Sequence, residues 1–530
     1  MDDIHPPPQL QQAGDTNEID KVGVDDGNSP MMRAPAPSLP IGIPPHHSEE
    51  DQIPITSAVR TFALCAALNS CNLGYDIGVN TGAADLVRDD LGLSDNELEI
   101  FLGSINLFGI IGAVGASWIS DQYGRRKTFK IAAYGFILGL VVTSLAQEFF
   151  GLMLGRIFVG MGVGCGLAID PLYIAEISPA IHRGNLVTWS ESAINLGIIF
   201  GFSSLLIYSP IVDGVQWRIM IATGAILPCV MIYLANYVMP ESPRWLVAQG
   251  KTIEAREVLA QLYPAGFDVA TVVEEIKESL DEERRLEKNV GWGVIVSPTP
   301  AVKRMLIVGV GSAIAQQICG IDAIQYYLVE ILEDVGVHDT NEQAAWLILL
   351  GCLKFSFLIL AGRLFDSKGR RPLFFISLTG MAFSLLAISF NFFGGQYKGV
   401  TIVGLASYMS FFSLGMGPGA WLIPSEVFFT SIRAKSMSIA TFTNRIFAAI
   451  MAMTVLSAEN TIGWGSYFLI LSFICCICLA FFYFLVPETK GKHLEEMAAY
   501  FAEITNDSSI FELGKLDNAS KTKVEDGELT

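Results

Sequence analysis

Roughly twelve apolar runs, each about twenty residues long and so matched to the hydrocarbon thickness of a bilayer, constrain this chain more than any other feature. They begin near Arg60, Leu98, Thr128, Gly151, Asn185, Gln216, Lys303, Glu342, Leu373, Val400, Ala434 and Gly465. A bilayer offers no water to backbone N–H and C=O groups, so a spanning segment must satisfy them itself, as a helix does. The expected fold is all-α and polytopic. Charged residues make up 16% of the 530, against about a quarter in soluble proteins.

The formal net charge of −19 sits mostly outside the spans: residues 1–56 contribute −8 and residues 493–530 contribute −6. An acidic, Pro-rich head and a charged tail poor in apolar residues read as disordered, and they imply no nucleic-acid partner. The head is long and acidic where a cleavable signal would be short and basic, so the first span is expected to act as its own insertion signal. Basic loops at residues 121–130, 366–372 and 431–435 share one face, and the opposite loops, such as residues 85–99, are acidic. The basic face is expected to be cytoplasmic. Both termini then fall there, and a plasma-membrane location follows as the default expectation. The nine cysteines all lie in expected spans with no metal-ligand spacing, which makes them packing residues.

An internal repeat sets the architecture. The pattern from Asp121 through Gly124, Arg125 and Arg126 recurs at Asp366, Gly369, Arg370 and Arg371; Glu176 with Arg183 recurs as Glu426 with Arg433; PESPRW at 240–245, which holds Glu241 and Arg244, is echoed by PETKGK at 487–492. The offsets are 245, 250 and 247 residues. Three features returning in order at nearly one spacing mean a duplicated half of similar orientation, with a solute site expected between the halves near the midplane. The chain therefore divides into a head (1–56), a first six-helix half (57–240), a helical linker (241–300), a second half (301–492) and a tail (493–530). Charged residues repeated beside tight turns at one face can bridge helices. They are expected to form gating ion pairs, with a purely topological role for the arginines as the alternative. In the linker, Glu to Lys/Arg spacings of three and four predict short amphipathic helices.

Polar residues inside the spans mark the site. The segment QQICGIDAIQYY, 316–327, sets amides, phenols and the Asp322 carboxylate in an otherwise apolar run, and Lys354 lies in the middle of the next one. A charge at the centre of a spanning helix costs roughly 2.5–3.5 kcal/mol on insertion scales and normally faces a wet cavity with a partner. Asp322 and Lys354 are the expected pair. Gln316, Gln317, Tyr326, Trp421 and Asn444 suit a polyhydroxylated solute, because amides offer donors and acceptors and an indole covers an apolar C–H face. A belt position for Trp421 is the alternative. No nucleophile–base pair, metal cluster or phosphate-cradling loop appears, so neither an enzyme nor a bound cofactor or metal is expected.

The ordered motifs GYDIG (74–78), DQYGRRK, GRIFVGMGVG (155–164), YIAEISPAIHRG (173–184), MPESPRWL (239–246), QQICGIDAIQYY, DSKGRRP, GPGAWLIPSEVF (417–428) and PETKGK resemble the sugar-porter branch of the major facilitator superfamily over nearly all of residues 58–500. Where hexose porters typically carry Gln, Asn, Asn and an Asn-Trp pair, this chain holds Glu191, Asp322, Lys354 and the pair Asn444 and Arg445. That pattern is similar to the plant-type polyol/monosaccharide proton symporters. Asp322 is shorter than the Glu usual there, and Asp170 stands where the family has a small residue. The resemblance implies twelve spanning helices, a sugar or polyol as the solute, and Asp76 with counter-ion Arg156 as the proton-coupling residues. It implies that Glu191 and Arg445 face the solute cavity, with ion pairing that only supports the bundle as the alternative. The implied activity is proton-coupled uptake by alternating access. A passive hexose facilitator and a non-transporting sugar sensor are the other functions the same fold would serve.

Overall fold

The computed structural model describes residues 54–507 apart from 180, 181, 290 and 493. Expectations about residues 1–53 and 508–530 lie outside the described residues.

The first half comprises α1 (Ser57–Leu91), α2 (Asp95–Tyr123), α3 (Arg125–Ser144), α4 (Phe149–Ile177), α5 (Arg183–Tyr208) and a span broken into α6 (Asp213–Thr223) and α7 (Ile226–Tyr237). The linker holds α8 (Pro243–Ala248), α9 (Thr252–Leu262), α10 (Val269–Asn289) and α11 (Gly293–Val296). The second half runs through α12 (Pro300–Ile318), α13 (Ile321–Tyr326), α14 (Leu328–Asp334), α15 (Thr340–Lys368), α16 (Arg370–Gly394), α17 (Lys398–Leu414), α18 (Met416–Val427), α19 (Thr430–Ala452) and α20 (Val455–Leu485), followed by α21 (Leu494–Thr505). The fold is that of an all-helical, multi-pass membrane protein. Among the described residues, ten helices are long and apolar enough to cross a bilayer. The two further long helices at expected span positions, α1 and α19, fall short in apolarity because they carry Asp76 with Asn69, Ser70 and Asn72, and Asn444 with Arg445. Outside the bundle, side chains such as Val114, Phe150, Phe383 and Phe484 are exposed and form the surface that meets lipid.

Helix ends follow local sequence. Ser94 and Glu97 form a reciprocal capping box at the start of α2, Thr299 caps α12 ahead of Pro300, and Asp339 caps α15, each satisfying an N–H the helix leaves open. Gly124 and Gly369, both at φ 91°, turn α2 into α3 and α15 into α16 with no other residue between. That conformation is open only to glycine. The orphan N–H groups of the following helix are met from far along the chain. Arg125 N donates to Glu241 Oε1 at 2.7 Å, and Arg370 N and Arg371 N donate to Glu488 at 2.9 Å. The recurring Pro-Glu motif is thus a carboxylate cap on the helix after the glycine turn.

The segment 316–327 is not one continuous helix. It breaks at Cys319 and Gly320, the latter at φ 91°, and Tyr408 OH donates to the freed Cys319 carbonyl at 2.9 Å. A second break at Gly415 separates α17 from α18, and Gln316 Nε2 donates to Gly417 O at 2.7 Å. Irregular backbone at membrane depth is tolerated where protein groups satisfy it in this way.

Two expectations need correction. The tail was read as disordered from residue 493, yet 494–505 form α21, because Met497, Phe501 and Ala502 make a buried apolar stripe that averaging over an acidic tail hides. Asp507 then accepts from Ala301 N at 3.1 Å. Of the nine cysteines, all free, Cys229, Cys352 and Cys476 are exposed and do not pack the core.

Candidate functional site

Asp76 sits in α1 between Gly74 and Gly78, where α5 comes so close that a Cβ on Gly74 would lie 1.9 Å from Ile194 O. The absent side chains let the two backbones touch and bury Asp76 to 2% exposure. Its partner is Arg156 of α4, 1% exposed, whose Nη1 donates to both carboxylate oxygens at 3.1 and 2.9 Å. Arg156 Nε donates to Phe101 O at 3.0 Å and the guanidinium lies 4.3 Å from the Phe101 ring centre, while Nη2 has no partner. This is a complete charge pair with one spare donor.

The second centre joins the halves. Asn444 Nδ2 donates to Gln316 Oε1 at 2.9 Å and Ala313 O at 2.8 Å; its Oδ1 accepts from Gln317 Nε2 at 3.3 Å and from Arg445 Nη2 at 2.7 Å. Arg445 Nη1 reaches across to Asn106 of α2 at 3.2 Å. Gln317 Oε1 and Asn106 Nδ2 are left buried without partners, an acceptor and a donor free for a hydroxyl group. Lys354 does not close on Asp322: its Nζ donates to Gln325 Oε1 at 2.6 Å. It lies in the field of both Glu191 and Asp322, and each of these carboxylates also feels Arg445. The expected pair is therefore a four-charge set, two of each sign, on α5, α13, α15 and α19. Tyr326, 2% exposed on α13, lies in the field of Asp322, Asp76, Arg156 and Arg445. Trp421 is half-buried on α18, just past the Gly415 break.

The duplicated charges lie within each half at the end bearing the glycine turns. Arg125 grips Glu176 through Nε at 2.7 Å and Nη2 at 2.6 Å, and Arg370 grips Glu426 through Nη2 at 2.6 Å and Nε at 3.1 Å. Arg126 donates to Ala235 O and Asn236 O, Arg371 to Tyr483 O, and Arg433 to Ser425 O. Arg244 ties α8 to Glu283 of α10 at 2.5 Å. Asp121 contributes little, being 75% exposed and 3.5 Å from Arg125 Nη1, and Asp366 is exposed. The Arg183 side chain lies outside the described residues. Burial pushes the Glu241 carboxyl above its ordinary range, outweighing the N–H groups it accepts from. At Glu488 burial also pushes upward, but four backbone N–H groups outweigh it and hold the carboxyl below that range.

Hydrogen bonds between the halves collect at the opposite end. Arg88 Nη1 reaches Glu330 at 3.3 Å, Ser457 N and Oγ donate to Glu99 at 2.8 and 2.6 Å, Asn460 donates to Asp95 at 3.0 Å, Ser209 donates to Asn341 at 3.0 Å, and Thr81 donates to Gln325 O at 3.1 Å. Gln325, Asn106, Glu488 and the Glu99–Ser457 contact were not singled out from sequence. Glu488 carried a readable signal in the Pro-Glu repeat, and Gln325 in its place among the amides of 316–327.

Comparison with known proteins gives a consistent picture. The family described as "Sugar (and other) transporter" matches residues 62–501. The chain is 38% identical over 447 residues to "Probable polyol transporter 4" of Arabidopsis thaliana, covering 84% of this chain and 85% of that one. It is 34% identical over 461 residues to "Putative polyol transporter 2" of the same plant, covering 83% and 90%. Among solved structures, the partially occluded inward-open conformation of the xylose transporter XylE from E. coli superposes with a TM-score of 0.72 at 27% identity, over 83% of this chain and all of that one. The proton:xylose symporter XylE bound to 6-bromo-6-deoxy-D-glucose gives 0.70 at 28% identity, over 84% and 99%.

Proposed function

This chain belongs to the sugar transporter family, in the sugar-porter branch of the major facilitator superfamily, and we propose that it carries a polyol or monosaccharide into the cytoplasm together with a proton. It is a transporter rather than an enzyme, and its solute is a sugar or polyol. The finer reading rests above all on one observation: Asp76 and Arg156 form a buried charge pair with one guanidinium donor to spare. A carboxylate held by a guanidinium stays ionised, and moving the guanidinium away lets it take a proton. Solute entering between the halves engages Gln317, Asn106 and Arg445, the last two of which bond to each other across the halves, so binding and proton uptake bias one conformational equilibrium. The polyol transporters among the relatives and the proton:xylose symporter among the structural neighbours support the solute class and the coupling.

With the basic turns placed in the cytoplasm, the hydrogen-bonded end is the outer one and the conformation described here faces inward. Uptake of labelled polyols, hexoses and pentoses into cells expressing the chain, with and without a proton ionophore, tests the proposal. Accumulation of one solute class that collapses with the ionophore is expected. Equilibration without accumulation, unaffected by the ionophore, would make the protein a passive facilitator.

A further inference from the structure

Asp170 of α4 is 0% exposed and takes no part in either centre above. Unlike Asp76 it has no cation beside it among the described residues: its oxygens accept from Asn69 Nδ2 at 2.8 Å and Ser70 Oγ at 2.5 Å. Asn72 Nδ2 donates in turn to Asn69 Oδ1 at 3.1 Å, and Asn72 Oδ1, on a side chain 4% exposed, has no partner. All four line a small cavity of about 10 Å3 between α1, α3 and α4, the room one water occupies. The place is built closely, since a Cβ on Gly166 would lie 2.6 Å from Asn69 Nδ2. The rest of the lining is apolar, with Ala132 and Phe136 from α3 and Leu73 from α1. Besides Asp170, the ionisable neighbour is Cys165 on α4.

A carboxylate sealed in apolar surroundings needs a compensating positive charge or must lose its own charge. Two amide or hydroxyl donors do not supply a unit of charge, and no basic side chain lines the cavity. A metal ion would need several oxygens around it, whereas Asn69 and Ser70 already turn their donors to the carboxylate and leave only Asn72 Oδ1 free. We propose that Asp170 is a second proton-binding carboxyl of this protein, neutral in the conformation described here and serviced by one water held between it and Asn72. Asn69, Asn72 and Asp76 fall on one face of α1 at spacings of three and four, so the site lies about 10 Å from Asp76 along the helix, toward the end bearing the glycine turns. The step is simple protonation: the Asp170 carboxylate gains H+ from water and returns it to water. This inference does not depend on Asp76 being the coupling residue.

Asp170→Asn is isosteric with the neutral acid, so the variant is expected to fold and express as the wild type does. Two readouts on purified full-length protein test the proposal. The wild type binds one proton more on folding than the variant, so its melting temperature should fall relative to the variant as pH rises, at a limit of about tenfold in the unfolding constant per pH unit. Infrared spectra should show a protonated-carboxyl band that disappears in Asp170→Asn and shifts in Asn72→Leu, which removes the acceptor and fills the water position. Parallel pH profiles with no lost band would overturn the proposal. So would stabilisation of the wild type, but not of Asp170→Asn, by sodium chloride over choline chloride, which would make the site a sodium site.

Discussion

Replacing Arg125 with Ala should destabilise the protein more than the equivalent change at Arg370, although the two arginines occupy repeated positions. Arg125 and Glu176 are 8% and 5% exposed and joined by two bonds of 2.6 and 2.7 Å. Removing one partner of so buried a pair leaves a bare charge and costs roughly 3–5 kcal/mol. Arg370 and Glu426 are 13% and 22% exposed, and Glu426 also accepts from Thr489 Oγ1 at 2.5 Å. Its carboxylate keeps a partner and some water when the arginine goes, so the cost falls to roughly 1–3 kcal/mol. Replacing both members of the tighter pair, as Arg125→Met with Glu176→Leu, should recover most of the loss, because an apolar pair of similar volume avoids desolvating two charges. Thermal and denaturant unfolding of the purified protein measures all three. A cost at Arg370 equal to or above that at Arg125, or a double variant no more stable than Arg125→Ala, would refute the reasoning. Cysteine labelling of the double variant then separates scaffold from gate: a stable protein with shifted access at the basic end means that the ion pair regulates closure.

Three further outcomes follow from the geometry. Gly124→Ala should cost roughly 1–3 kcal/mol, since φ is 91° and the new Cβ would lie 2.5 Å from Glu241 Oε2; unfolding midpoints check this. Lys354→Asn and Asp322→Asn should each impair folding or uptake by unbalancing the four-charge set, while the double change restores expression and moves preference toward hexoses; an unchanged solute ranking in an active double variant would make the set structural. Burial pushes Glu330, just beyond its span, from 4.5 up to about 7, and the lowering effect of Arg88 does not cancel it. Opening this end to water would return the carboxyl toward 4.5, so acidification from about pH 7 to 4.5 favours the closed form and rising pH favours opening. Spin-label distances across the Arg88–Glu330 contact should lengthen with rising pH, and Glu330→Gln should flatten that response.

Much of the bundle was legible because hydropathy and the repeat are local signals. The helices that hydropathy marks least, α1 and α19, are those whose Asn69, Asp76, Asn444 and Arg445 build the interior polar sites, so function itself blurs the spanning signal there. The helix break at Gly320 was hidden inside an apolar run, and α21 was hidden by the acidic residues around its stripe. Charge identity was readable and charge partnership was not. Lys354 sits where a buried cation was expected, but its bond to Gln325 and its exposure to the fields of Glu191 and Asp322 depend on how α5, α13 and α15 pack. The partners of Asp170 were hidden for the same reason: Asn69 and Ser70 come from a helix about a hundred residues away. The capping role of Glu488 was present in the Pro-Glu repeat but requires the glycine turn in three dimensions to be seen.

Proton coupling through Asp76 is tested most directly in proteoliposomes carrying an imposed pH gradient, comparing the wild type with Asp76→Asn for concentrative uptake and for solute exchange at zero gradient. The wild type should accumulate labelled polyol and collapse to equilibrium when an ionophore removes the gradient. Asp76→Asn should lose accumulation while retaining exchange, because the neutral amide fixes the protonated form without sealing the cavity. Undiminished, gradient-driven accumulation by Asp76→Asn would contradict the account.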